Sequence, residues 1–371
     1  MKQKIALVLI GAIILCFAGF NNKFPLLTND TGVYIDSGFS RNVPFDRPVL
    51  YGLFIAHTSW GNSLWLVIFS QALILSLVLF YCFRYFSSSI NGTLFFLPCL
   101  FFIAFFMSAS VTASTVSAAV FSNIASLCMM LLLFAKNVSK RDLAIITIVF
   151  VLSLGMDIMN LITTFLVLVL YTLRCLWTKK EQMQDPIKTN PKQLLITGAL
   201  LLSACALVSL IHFFLGAGLG IVRENKISML PRLLNSMYAI NKERYSRVSG
   251  NTLIGLCKWY EDEVREYYLS RQFQGWLSLN YLNYCKVISA ILCLGLNLLL
   301  LLRKTFYRQR NLFFYIFIAL IIQILTGALV YGRNNNIPGH LIWMLPIPLF
   351  IYLSEAPFIS KWNKIGTNKI S

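Results

Sequence analysis

Runs of apolar residues, each about as long as a bilayer is thick, follow one another along this chain. A helix needs roughly 20 mostly apolar residues to cross ~30 Å of hydrocarbon. Such runs fall near 4–20, 61–83, 93–110, 114–135, 142–156, 158–177, 194–215, 286–302, 311–330 and 340–355. With 57% hydrophobic and 12% charged residues among 371, a water-surrounded core could not hide this much apolar surface. None of the runs alternates as a barrel strand does, and a span without water must satisfy its backbone internally. The sequence therefore predicts an all-α polytopic membrane protein of about ten transmembrane helices. An N-terminal module, 1–215, carries a polar insert at 21–60. A second, larger helical segment covers 216–285, and further spans fill 286–371. The basic, apolar start "MKQKIALVLIGAIILCFAGF" reads as an uncleaved first helix, because more spans follow and Leu15 precedes Cys16 where a lipoprotein signal needs a small residue.

Charge orients the spans. Lys2, Lys4, Arg84, Lys136, Lys140, Arg141, Arg174, Lys179, Lys180, Arg303, Lys304 and the tail lysines collect on one side. The positive-inside rule makes that side cytoplasmic, with both termini on it. The insert, the 216–285 segment and "YGRNNNIPG" then face outward, and so do ten of the fourteen acidic residues. The net charge of +18 is spread over loops between spans, so anionic lipid rather than nucleic acid is the expected partner. Nine cysteines form no C-x-x-C pair, and most sit in apolar runs as small hydrophobes. Only Cys257 and Cys285 lie in a polar region.

Chemistry concentrates in the insert, "NDTGVYIDSGFSRNVPFDRPVLYGLF". Asp30 and Tyr34 lie four apart and share a face on a helical turn, whereas Asp36 points elsewhere. Arg47 stands just before Pro48 and an amphipathic run. A carboxylate with an arginine nearby suits proton removal from a hydroxyl and the holding of a phosphate leaving group. The same residues also fit a solvated loop with interface ion pairs. Asp157, in a tight turn between two spans, is either a helix cap or a substrate ligand. In "GNTLIGLCKWYEDEVREYYLSRQF", Leu253, Leu256, Tyr260, Val264, Tyr267 and Tyr268 recur at helical spacing and predict a surface helix with one aromatic face. Its Glu261 to Glu263 are read as a solvated charge face, with a divalent cation shared with Asp30 as the alternative. No metal or cofactor is predicted. His57 and His212 read as polar residues satisfied within or beside spans.

One helix, an Asp-x-x-x-Tyr loop, and a basic residue before proline and "LY" together resemble the GT-C-type membrane glycosyltransferases. The similarity is to the branch holding the protein O-mannosyltransferases and the lipid A aminoarabinose transferases. Asp30 and Tyr34 match the family's loop, with Thr31 where a glutamate usually stands. "DRPVLY" is similar to Glu-Lys-Pro-Pro-Leu-x-Tyr, with Arg47 in the lysine's place and Pro48 the one proline kept. "YGRNNNIPGHLIWMLPIPLF" resembles the late segment in which a basic residue, here Arg333 or His340, precedes a proline-bearing helix.

The resemblance implies an inverting transfer of a sugar from a polyprenyl-phosphate carrier to a glycan, lipid or protein hydroxyl at the outer face of a bacterial inner membrane. Asp30 would be the base, and Arg47, Arg333, Arg265 and Arg271 would hold the donor phosphate. Tyr34, Asp36, Asp157 and His340 would line the substrate site. Two other readings compete. A polysaccharide polymerase or ligase would place its chemistry in 216–285, and a lipid or glycan transporter would bind nearer the midplane.

Overall fold

The computed structural model describes residues 2–28, 30–44, 47–87, 92–177, 191–217, 292–298, 314–319 and 346–355, with 289, 312, 321 and 322. These residues are helical nearly throughout. The chain opens with α1 (Lys2–Leu15) and α2 (Phe17–Asn22), divided at Cys16, whose N–H is shared between the carbonyls of Ala12 and Ile13. A two-residue strand, β1 (Leu26–Leu27), leads into the insert helices α3 (Thr31–Ser40) and α4 (Leu50–Ser59). Next come α5 (Leu64–Phe86), α6 (Gly92–Phe106), the short α7 (Ala109–Ser114) and β2 (Thr115–Val116). The bundle continues with α8 (Ala119–Phe134), α9 (Lys140–Gly155), α10 (Ile158–Trp177) and α11 (Pro191–Phe214), and a further helix spans Pro346–Glu355.

α5 is the axis of the bundle. It packs against α1, α4, α6 and α8, and 67% of its most apolar window is buried, against 22% for α11 at the periphery. By length and composition α5 and Gln193–Phe214 of α11 are each able to cross a membrane. The pair Lys140–Gly155 and Ile158–Leu173, bent by 118°, adds a third if it counts as one span. The expectation of about ten spans is thus met only in part among the described residues. Three expected spans are interrupted by local backbone chemistry. The first divides at Cys16. The run at 93–110 stops before Ser108, which takes a left-handed φ of 61°. The run at 114–135 begins late because Thr115 and Val116 pair in parallel with Leu26 and Leu27. Strands of two residues leave no periodicity to read in a sequence. The tight turn expected at "GMDIMN" is present between α9 and α10.

The insert is helical, as its spacing predicts, and it is embedded in the bundle. α3 and α4 cross with their backbones in contact: a Cβ on Gly38 would stand 2.0 Å from the Gly52 carbonyl oxygen, and one on Gly52 would stand 2.6 Å from the Tyr34 oxygen. Only glycine at both positions permits that approach. Tyr51 and Ile55 of α4 are fully buried. Tyr51 meets Tyr34 edge-on at 4.7 Å and Phe121 of α8 at 5.9 Å, while Phe54 meets Phe121 at 5.2 Å. Pairs of this kind contribute about 0.5–1.5 kcal/mol each beyond area burial.

Candidate functional site

Asp30 is the N-cap residue of α3, and its carbonyl accepts from Tyr34 N at 3.1 Å. Its side chain makes no capping bond. The carboxylate turns instead to Arg47, with Nη1 and Oδ1 3.1 Å apart. The Arg47 guanidinium lies over the Tyr34 ring, 5.1 Å from the centroid, a cation–π arrangement. The two charges are unequally placed, with the Arg47 side chain 14% exposed and that of Asp30 43% exposed. A stacked, shielded cation beside an accessible carboxylate is the electrostatic character of this site.

The surrounding polar groups brace it. Thr31 is buried, receives the N–H of Thr28 at 2.8 Å and donates to the carbonyl of Val116 at 3.0 Å, tying the start of α3 to β2. Gln71, fully buried in α5, donates to the carbonyls of Ala113 and Thr115, each at 2.7 Å, and accepts from the Tyr51 hydroxyl at 3.3 Å. Burial pushes the Tyr51 phenol well above its ordinary pKa, so it stays a donor. Val49 N donates to Nε2 of His212, in the last turn of α11, at 3.3 Å. In the sequence His212 reads as a satisfied polar residue, without a role, and Gln71 is passed over. A polar residue inside an apolar run is nonetheless the signal that would have found both.

Other candidate residues lie elsewhere. Asp36 lies on α3 six residues after Asp30, which places it on another side of that helix. Burial raises its pKa, and the Ser40 hydroxyl partly offsets the rise. Asp157 caps α10, its Oδ1 accepting from Met159 N at 3.0 Å, which is the capping alternative of the two the sequence leaves open. His57 bonds the Leu53 carbonyl within its own helix. Arg265, Arg271, Arg333, His340, Asp46, Glu261 to Glu263, Cys257 and Cys285 lie outside the described residues.

Among the described residues no group of three or more His, Cys, Asp or Glu side chains is gathered as a metal site. A groove of about 530 Å³, walled by Ile14, Leu97, Pro98 and phenylalanines including Phe350, runs between α1, α6 and the Pro346–Glu355 helix, and Asp30 and Arg47 do not line it. A second charged cluster occupies the opposite end of α5. There Asp142 pairs with Arg84 at 2.8 Å and accepts from Tyr81 at 3.3 Å and from Tyr85.

Compared with family models, with curated proteins and with solved structures, the chain matches none.

Proposed function

We propose that this chain is an inverting glycosyltransferase. It takes a sugar from a polyprenyl-phosphate carrier and gives it to an acceptor hydroxyl at the outer surface of a bacterial inner membrane, with both termini cytoplasmic. One observation carries the reading. Asp30, Tyr34 and Arg47, which come from two separate stretches of the insert, meet as an ion pair stacked on a ring.

That geometry suits a base placed beside a phosphate-binding cation. Asp30 removes the proton from the acceptor hydroxyl, and the acceptor oxygen forms a bond to the anomeric carbon. The carbon–oxygen bond to the carrier breaks on the opposite face, and its electron pair leaves with the polyprenyl phosphate. The configuration at that carbon inverts. Arg47, joined by Arg265, Arg271 or Arg333, receives the growing phosphate charge, and Tyr34 keeps the guanidinium in place. Removing a positioned base costs typically ~10²–10⁴ in rate. Removing one preorganised charge contact costs roughly 10²–10³.

The test is complementation of cells lacking the protein, read by mass spectrometry of their envelope glycans and lipids. The wild-type chain restores a missing glycosyl residue. Asp30→Asn keeps the side chain's size but not its basicity, and restores none of it. Full restoration by Asp30→Asn in a correctly folded protein sinks the reading.

A further inference from the structure

Val49 stands at the start of α4, and its backbone N–H has no partner within that helix, because the first turn lacks upstream carbonyls. Val49 has no exposed surface, so water does not reach it. A buried donor left unmade costs more than the bond contributes when made, so the fold has to bring an acceptor. The acceptor comes from far along the chain. Nε2 of His212, 163 positions away and 1% exposed, takes the Val49 N–H at 3.3 Å. A ring nitrogen that accepts carries no proton, so this imidazole is neutral, with its hydrogen on Nδ1.

The place of the contact gives it a consequence. Arg47 is two residues upstream, and the only link between is Pro48, whose ring holds its own φ near −65°. Anchoring Val49 therefore fixes the backbone from which Arg47 reaches Tyr34 and Asp30. The anchor itself is firm. A Cβ on Gly155 would stand 2.8 Å from Leu50 Cδ2 and 2.9 Å from Val208 Cγ2, so the start of α4, the end of α9 and the last turns of α11 are packed without slack.

We infer that His212 is a positioning residue. Through Val49 it sets where Arg47 presents its guanidinium to a ligand of the phosphate-ester class. The ligand class rests on the glycosyltransferase reading, whereas the His212–Val49 latch does not.

Two measurements on the full chain in lipid nanodiscs test this and separate the two ideas. The first is hydrogen exchange over residues 47–53. It speeds up in His212→Ala and returns toward wild type in His212→Gln, whose side-chain oxygen reaches the Nε2 position. His212→Asn, whose oxygen falls short at the Nδ1 position, behaves as alanine does and serves if the alanine variant does not fold. The second is titration with geranyl phosphate. Binding weakens about tenfold in His212→Ala, the loss expected for one buried acceptor. His212→Gln binds nearly as wild type, and Arg47→Ala binds far more weakly than either. Unchanged exchange in His212→Ala and His212→Asn overturns the latch. Faster exchange with undiminished binding, in a protein where Arg47→Ala does weaken binding, overturns the positioning role. If Arg47→Ala binds as wild type does, the phosphate reading of the site fails, and the exchange result alone decides the latch.

Discussion

An aspartate at a helix N-cap normally spends its carboxylate on the N–H groups of the first turn, a contact worth about 1 kcal/mol. Asp30 does not, and its oxygen goes to Arg47. Asp36, half-buried on the same helix, offers the cleaner pH experiment. Burial raises its pKa, so the folded protein binds a proton that the unfolded chain has already released. Its cost to stability is absent below the unfolded value, about 3.9, and grows as pH rises through the folded one. Asp36→Asn should therefore melt higher than wild type at neutral pH, with the gap closing in acid, as thermal scans across pH would read. At this scale the sequence was informative about pairs within one helix. The spacing of Asp30 and Tyr34 follows from helical geometry, but the closure of Arg47 onto Asp30, across sixteen intervening positions, follows from no local pattern.

That closure belongs to the crossing of α3 with α4. Asp30 leads one helix and Arg47 precedes the other, so the pair exists only while the two backbones touch at Gly38 and Gly52. Gly52→Ala places a methyl against the Tyr34 carbonyl and the Ser37 hydroxyl, and the carbonyl has no rotamer by which to move. The expected cost is about 1–3 kcal/mol, read as a lower melting temperature together with loss of the proposed sugar transfer. Gly198, in α11, has only Leu168 Cδ2 at 4.0 Å, so Gly198→Ala should instead stabilise by about 0.5–1 kcal/mol and leave the proposed transfer unchanged. Helix identities in 1–215 were legible because apolar runs of this length have few alternatives. Their breaks were not, since the left-handed Ser108 and the β1–β2 pair answer to neighbours distant in sequence.

Across the whole molecule, α5 joins two polar assemblies at opposite ends. Near the insert, Gln71 binds α4, α7 and β2 together. At the other end, Arg84, Tyr81 and Tyr85 gather on Asp142 at the start of α9. The Asp142 carboxylate accepts from Arg84, Tyr81 and Tyr85, and each of these donors would lose a charged acceptor on substitution. Asp142→Ala should thus cost about 1–3 kcal/mol, and Arg84→Ala should add less than its own single cost in the double variant. Denaturant or thermal unfolding of the four proteins measures both. In the sequence, charge alone predicts a cytoplasmic end for Arg84, and no local pattern marks its partner, because Asp142 lies 58 positions away. The β1–β2 pair also bears on biogenesis. Leu26 and Leu27 find their partners only once Thr115 and Val116 have been synthesised, and the Val49 N–H waits for His212. The insert is therefore unfinished until more than half of the chain has been synthesised, and nascent chains halted before residue 115 should leave it open to protease.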